Sequence, residues 1–165
     1  MSDAKALYDE DFVAWSKDQA EALRAEARAG SNQKLDWENL AEEIESLGKS
    51  QRHELRSQVR RVIEHLLKLE CSLAMAPRRG WCESISDARS EIDLILRDSP
   101  SLKREVRSAI AIGLKPAARK AIFALEEHAE LNTAARARIQ AMTYTEEQIL
   151  GDWFPPGPPP SSEYP

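Results

Sequence analysis

The residues best suited to chemistry are Glu42, Glu43 and Glu45, with His65 further along the same stretch. Carboxylates and imidazoles on helices are the raw material of di-metal bundles, which place a glutamate three residues before a histidine on two helices. That pattern fails at every histidine: Ser50 precedes His53, Val62 precedes His65 and Leu125 precedes His128. Cys71 and Cys82 are the only cysteines, and no Cys/His spacing of the zinc type surrounds them. Glu42, Glu45 and His65 are thus what a metal-dependent enzyme would have to use, and surface acids beside a half-buried histidine are the expectation. His65 falls at the edge of an apolar sector, one turn from Val62 and Leu69, where a satisfied hydrogen bond to a carboxylate or backbone carbonyl is expected. No Gly-x-Ser-x-Gly elbow, P-loop or Rossmann glycine pattern is present, and Cys82 beside Trp81 reads as a structural thiol. No catalytic residue and no cofactor is expected.

A second kind of chemistry is electrostatic. Lys49, Arg52, His53, Arg56 and Arg60 fall along one helical face, and Arg78 and Arg79 lie in the turn that follows. Such a ridge could track phosphates or contact an anionic partner. Three observations weigh against nucleic acid: the net charge is −5, no aromatic residue interleaves for base stacking, and Glu38, Glu42 and Glu45 occupy the first half of the same face. A solvated face is expected, with nucleic-acid binding as the alternative.

These residues need helices to position them, and helical signals dominate the chain. Its 165 residues are 42% hydrophobic and 31% charged, the balance of one globular domain. No apolar run approaches the ~20 residues that span a bilayer. Met1–Lys5 leads into acids without a signal peptide's apolar centre, and two thiols fit a reducing compartment, so a cytoplasmic protein is expected. Valine is scarce and period-two alternation is missing, which predicts an all-α helical bundle.

The first helix is expected from Asp9 as N-cap through Phe12, Trp15 and Leu23 to a stop at Gly30-Ser31-Asn32. Asp36 caps the next, with Leu35 and Leu40 placed for a hydrophobic staple. An apolar line of Trp37, Leu40, Ile44, Leu47, Leu55, Val62 and Leu69 then predicts one long central helix over 36–74, bent if anywhere at Gly48. Two helices broken at Gly48-Lys49-Ser50 are the alternative. A turn follows at Ala76–Gly80, then a helix from Trp81 to near Arg97. Ser99-Pro100 restarts the chain, and Pro116 predicts a kink or short break at 113–116 before helix resumes to Ala129. A weaker helix over 134–142 and a short one opened by the capping box Thr145–Gln148 complete the set. Residues 1–154 are expected to form a single helical domain, and 155–165 an extended or mobile proline-rich tail. Trp15, Trp37 and Trp81 are expected as core anchors, while Trp153-Phe154 would pin the C-terminus or be offered to a partner.

Charge order adds one expectation. Glu38, Glu42 and Glu45 followed by Lys49, Arg52, Arg56 and Arg60 would let a second copy pair antiparallel, acid against base. Exposed ion pairs contribute only ~0–1 kcal/mol each. Such a homodimer therefore needs apolar contact, for which Ile63, Leu66 and Leu67 extend the stripe.

The chain resembles a bacterial family known as domain of unknown function twenty-nine. The likeness rests on Tyr8-Asp9-x-Asp11-Phe12-x-Ala14-Trp15 and on Gln19-Ala20-x-x-Leu23-Arg24. It continues through Leu35-Asp36-x-x-Asn39-Leu40-Ala41-Glu42-Glu43-Ile44-Glu45-Ser46-Leu47-Gly48, His65-Leu66-Leu67-Lys68, Trp81, Arg89, Ile92 and Asp98–Lys103. It covers residues 8 to about 105, and the Glu-rich segment before Gly48 is its most specific part. The resemblance implies an all-helical fold and supplies no activity. The expected function is a non-catalytic interaction or structural module, with a nucleic-acid-associated regulator as runner-up and a metal-dependent enzyme third.

Overall fold

Short polar side chains open four of the seven α-helices in the computed structural model, which describes residues 4–30, 33–128 and 130–156. Among these residues there is no strand. The helices are α1 (Ala4–Glu10), α2 (Phe12–Ala29), α3 (Trp37–Cys71), α4 (Arg78–Asp98), α5 (Val106–Glu127), α6 (Thr133–Ala141) and α7 (Glu146–Leu150), with a 3-10 segment at Pro100–Glu105. The all-α expectation and the long helix are therefore both realised.

The first cap is Asp11, not Asp9. Asp11 has the extended backbone of a cap residue, and its carboxylate accepts the Ala14 N–H at 2.8 Å, whereas Asp9 lies inside α1. Gly30 ends α2 in the left-handed conformation, at φ 71°, that glycine adopts without strain. Asp36 caps α3 through the Asn39 N–H, as expected. The staple is not buried, since Leu35 and Leu40 are 49% and 41% exposed.

α3 runs unbroken through Gly48. The glycine is there for packing: a Cβ at this position would collide with the Ser16 hydroxyl of α2. The turn expected at 76–80 lies earlier. Pro77 accepts the first bond of α4, from Trp81 at 3.1 Å, which places Gly80 inside the helix. α5 likewise continues through Pro116, without the short break that, beside a kink, is one of the two expectations there. The carbonyl that proline leaves unbonded belongs to Ile112, on the exposed side of α5, where water can take it. Asn132 caps α6 at the Ala135 N–H, and Thr145 and Gln148 form the full capping box of α7.

The chain divides into two compact units. The first comprises residues 1–55 with 93–105, and the second 56–92 with 106–165. In the first, small residues let α2 and α3 approach closely, and a buried polar network ties the 3-10 segment to them. Ser99 accepts the Val13 N–H at 3.3 Å and donates to Gln51 at 2.6 Å. Asp11, while capping α2, also accepts from the Ser101 N–H and hydroxyl at 2.6 and 3.0 Å.

The second unit holds most of the buried apolar side chains, with Val59, Val62, Leu66, Ile85, Ala117 and Ala121 fully buried. Gly113 of α5 lies against Arg60 and Ile63 of α3, where a Cβ would meet the Ile63 side chain at 3.3 Å. Ile63, Leu66 and Leu67 are buried to within 1%. They are core residues and cannot form the apolar contact of the antiparallel homodimer drawn from the sequence. Residues 157–165 of the expected tail lie outside the described residues, as do Ser31, Asn32 and Ala129.

Candidate functional site

Several of the sequence-nominated acids and bases are held in ion pairs or hydrogen bonds, mostly by residues outside the nominated set. Arg24 of α2 donates to Glu45 at 2.7 Å, and Lys49 approaches the same carboxylate at 3.4 Å. The Arg24 bond and the Lys49 charge hold the Glu45 carboxyl below its ordinary pKa. Arg52 is bound to both oxygens of Glu105 at 2.9 Å. Two members of the basic ridge are thus neutralised locally, while Arg56 is half-buried and Arg60 exposed. Arg78 is structural: it donates to the Leu69 and Ser72 carbonyls at 2.9 and 3.4 Å and so caps the end of α3. Arg79 pairs with Glu83 on the surface. Glu42 is exposed, and no cluster of three His, Cys, Asp or Glu able to hold a metal occurs among the described residues.

His65 lies in the second unit, half-buried, with Nδ1 2.9 Å from the Arg61 carbonyl oxygen. A carbonyl only accepts, so Nδ1 carries the proton and Nε2 keeps its lone pair. Burial lowers the imidazole pKa, with the Arg61 carbonyl pulling the other way. The ring borders a cleft of about 310 Å³ lined also by Arg60, Arg61, Glu64 and Lys120. Burial raises the Glu64 carboxyl, but the bond from Lys68 at 2.7 Å and the nearby Lys120 charge outweigh it and hold the group below its ordinary pKa. The satisfied histidine expected from sequence is present, its acceptor being the carbonyl one turn back.

Sequence reasoning missed two groups in the second unit. Burial raises both the Glu70 carboxyl and the neighbouring Tyr144 phenol, whose hydroxyl donates weakly to Met142 Sδ at 3.9 Å, and it raises the Cys71 thiol as well. A buried thiol raised in this way is inert as a nucleophile. Arg89 is the second omission. Its guanidinium donates to the carbonyls of Gln148, Ile149 and Trp153 at 2.7, 2.9 and 2.7 Å, and it lies 4.9 Å over the Phe154 ring. Trp153-Phe154 therefore pins the C-terminal segment. Neither set carries a local sequence signal, because partners this far apart in the chain leave no short-range pattern.

What remains open is apolar. Leu35, Leu40 and Leu47 in the first unit are 49%, 41% and 49% exposed. Leu40 and Leu47 lie seven residues apart on one side of α3, with Glu43 exposed beside them. Trp37, expected as a core anchor, is only half-buried, and its indole N–H has no acceptor among the described residues. Trp15 and Trp81 are half-buried too, Trp15 stacking on Phe12 at 5.6 Å. No helix among the described residues is long and apolar enough to cross a membrane.

Comparison with known proteins agrees with this picture of a helical scaffold. An α-helical protein of unknown function from Rhodospirillum rubrum ATCC 11170 shares the architecture, at 25% identity and a TM-score of 0.71, over 90% of this chain and 91% of that one. No curated protein matches the chain. The caps of α2 and α3, the Glu-rich start of α3 and the Arg89 anchor all fall inside one matched region: over residues 7–154 the chain belongs to the family described as Domain of unknown function DUF29.

Proposed function

We propose that this protein is a non-catalytic, cytoplasmic interaction module that docks a basic amphipathic helix of a partner protein on the first half of α3. One observation carries the reading: Leu40 and Leu47 are open on the very line that the helix buries further along at Leu55, Val62 and Leu69. Large side chains exposed in a row are what partner surfaces offer. Asp36 and Glu43, both exposed, border the leucines and match a cationic partner. Two unpaired thiols, Cys71 and Cys82, support the cytoplasmic assignment. We read residues 1–154 as one folding domain, because α3 and α4 each continue without a break across the division between the units.

The test is comparative capture from the native host with the wild-type chain and with Leu40→Asp/Leu47→Asp. The variant keeps its helicity, since both side chains are already in water, and loses the partner. An unchanged set of captured proteins overturns the reading. Nucleic acid finds less support, because Lys49 and Arg52 are committed to Glu45 and Glu105.

A further inference from the structure

The second unit contains an apolar pocket of about 440 Å³ that none of the sequence-nominated acids and bases borders. Its walls are Leu67 of α3, Leu114, Ala118 and Ile122 of α5, and Ile139 and Met142 at the far end of α6. This volume and lining match small-molecule sites, which are mostly apolar with a few polar groups that fix orientation. Those groups are Lys115 and Arg119, one helical turn apart on α5 and both exposed. Neither forms an ion pair among the described residues, unlike Arg24, Lys49, Arg52 and Lys68. No carboxylate lines the pocket. The lip is thus cationic and the interior greasy. α6, which forms one wall, buries only Ile139, so little core packing opposes its yielding to a ligand.

We infer that this pocket binds an anionic amphiphile of the medium-chain carboxylate class, with the acyl chain between α5 and α6 and the head group on Lys115 and Arg119. The apolar walls supply affinity. The two cations supply direction, because a guanidinium and an ammonium a turn apart can hold the two carboxylate oxygens at once. The inference is independent of the leucine face on α3.

Dodecanoate, kept below its micelle-forming concentration, is the probe, titrated into the full chain by calorimetry with methyl NMR of isoleucine and methionine. The expected result is saturable one-to-one binding that moves the Ile122, Ile139 and Met142 methyl signals. Decanoate binds roughly tenfold more weakly, as two fewer buried methylenes require. Lys115→Glu/Arg119→Glu weakens dodecanoate by about tenfold or more while leaving the thermal midpoint unchanged, and dodecyltrimethylammonium binds more weakly than dodecanoate. Absence of saturable binding, equal affinity for the two head charges, or signals moving elsewhere overturns the inference. A chain ending at Pro156 is the last arm. If it binds dodecanoate many-fold more tightly than the full chain, the chain's own terminus is the occupant and the inference fails; equal affinity supports it.

Discussion

The two halves of α3 carry the same apolar period and meet opposite fates. From Leu55 onward the helix buries Val59, Val62, Leu66 and Leu69 at 2% exposure or less, whereas Leu40 and Leu47 stay 41% and 49% exposed. The difference lies in what occupies the centre of the buried sector. In the second half it holds branched side chains. In the first half it holds Ala41 and Gly48, both buried, and the Gly48 backbone is close enough to α2 that a Cβ would strike Ser16. Close approach over small residues leaves the flanking leucines outside the contact. Amphipathic period therefore identifies an apolar face, and residue size decides which part of that face a neighbouring helix covers.

The contrast can be broken most forcefully at Leu66. Leu66→Ala should cost about 2–5 kcal/mol in urea denaturation, against ~0.5 kcal/mol or less for Leu47→Ala, both in a single transition. Comparable losses at the two sites would erase the distinction between a closed and an open half.

Gly48→Ala is next in size. Alanine favours an exposed helix by ~1 kcal/mol, but here the methyl must displace the Ser16 hydroxyl. Net destabilisation of about 1–3 kcal/mol is expected, with partial recovery on adding Ser16→Gly. A stabilised Gly48→Ala protein would show that the approach of α2 is looser than described.

The smallest effect sharpens the comparison through pH. The closed half holds carboxylates with opposite shifts, Glu64 lowered and Glu70 raised. Glu64 contributes stability above its unfolded pKa and loses it as pH falls through its folded value. Glu70 favours the folded state most below its unfolded pKa, near 4.5, and this is lost as pH rises through its raised folded value. Glu70→Gln should therefore raise the melting temperature at pH 7 relative to wild type more than at pH 4. His65, whose pKa is lowered, acts in a different window: its contribution is complete above its ordinary pKa of 6.5 and fades as pH falls through the lower folded value. In His65→Gln that dependence near and below pH 6.5 should flatten.

Local signals were legible and distant ones were not. Asp36, Asn132 and the Thr145–Gln148 box each bond within three residues, so the sequence displays the whole interaction. Asp9 misled because two aspartates compete near the start, and only the backbone at Asp11 turns out of the helix. The short break allowed for at Pro116 does not occur, since the cost of a proline depends on whether the freed carbonyl meets water, and that requires knowing that Ile112 faces outward. At the candidate sites, Lys49, Arg52, Arg56 and Arg60 all lie on α3, and the neutralisation of Arg52 by Glu105 depends on a contact 53 positions away. The apolar pocket has walls drawn from three helices, which no single-helix pattern reveals.

The hold of Arg89 on the Trp153 carbonyl has a practical consequence for fusions. A guanidinium stays charged at any pH the fold tolerates, and burial lowers the Arg89 pKa while Asp152 supports the charge. The anchorage therefore does not switch off by titration. The anchored backbone extends to Phe154, four residues beyond the end of α7 at Leu150, so those four residues add nothing to the reach of a segment appended on the C-terminal side. A flexible linker reaches only about 5–6 Å times the square root of its residue count, so losing four residues of slack matters most for short tethers. Arg89→Ala should return that slack, detectable as a longer mean donor–acceptor distance between a label in the second unit and one on the appended segment.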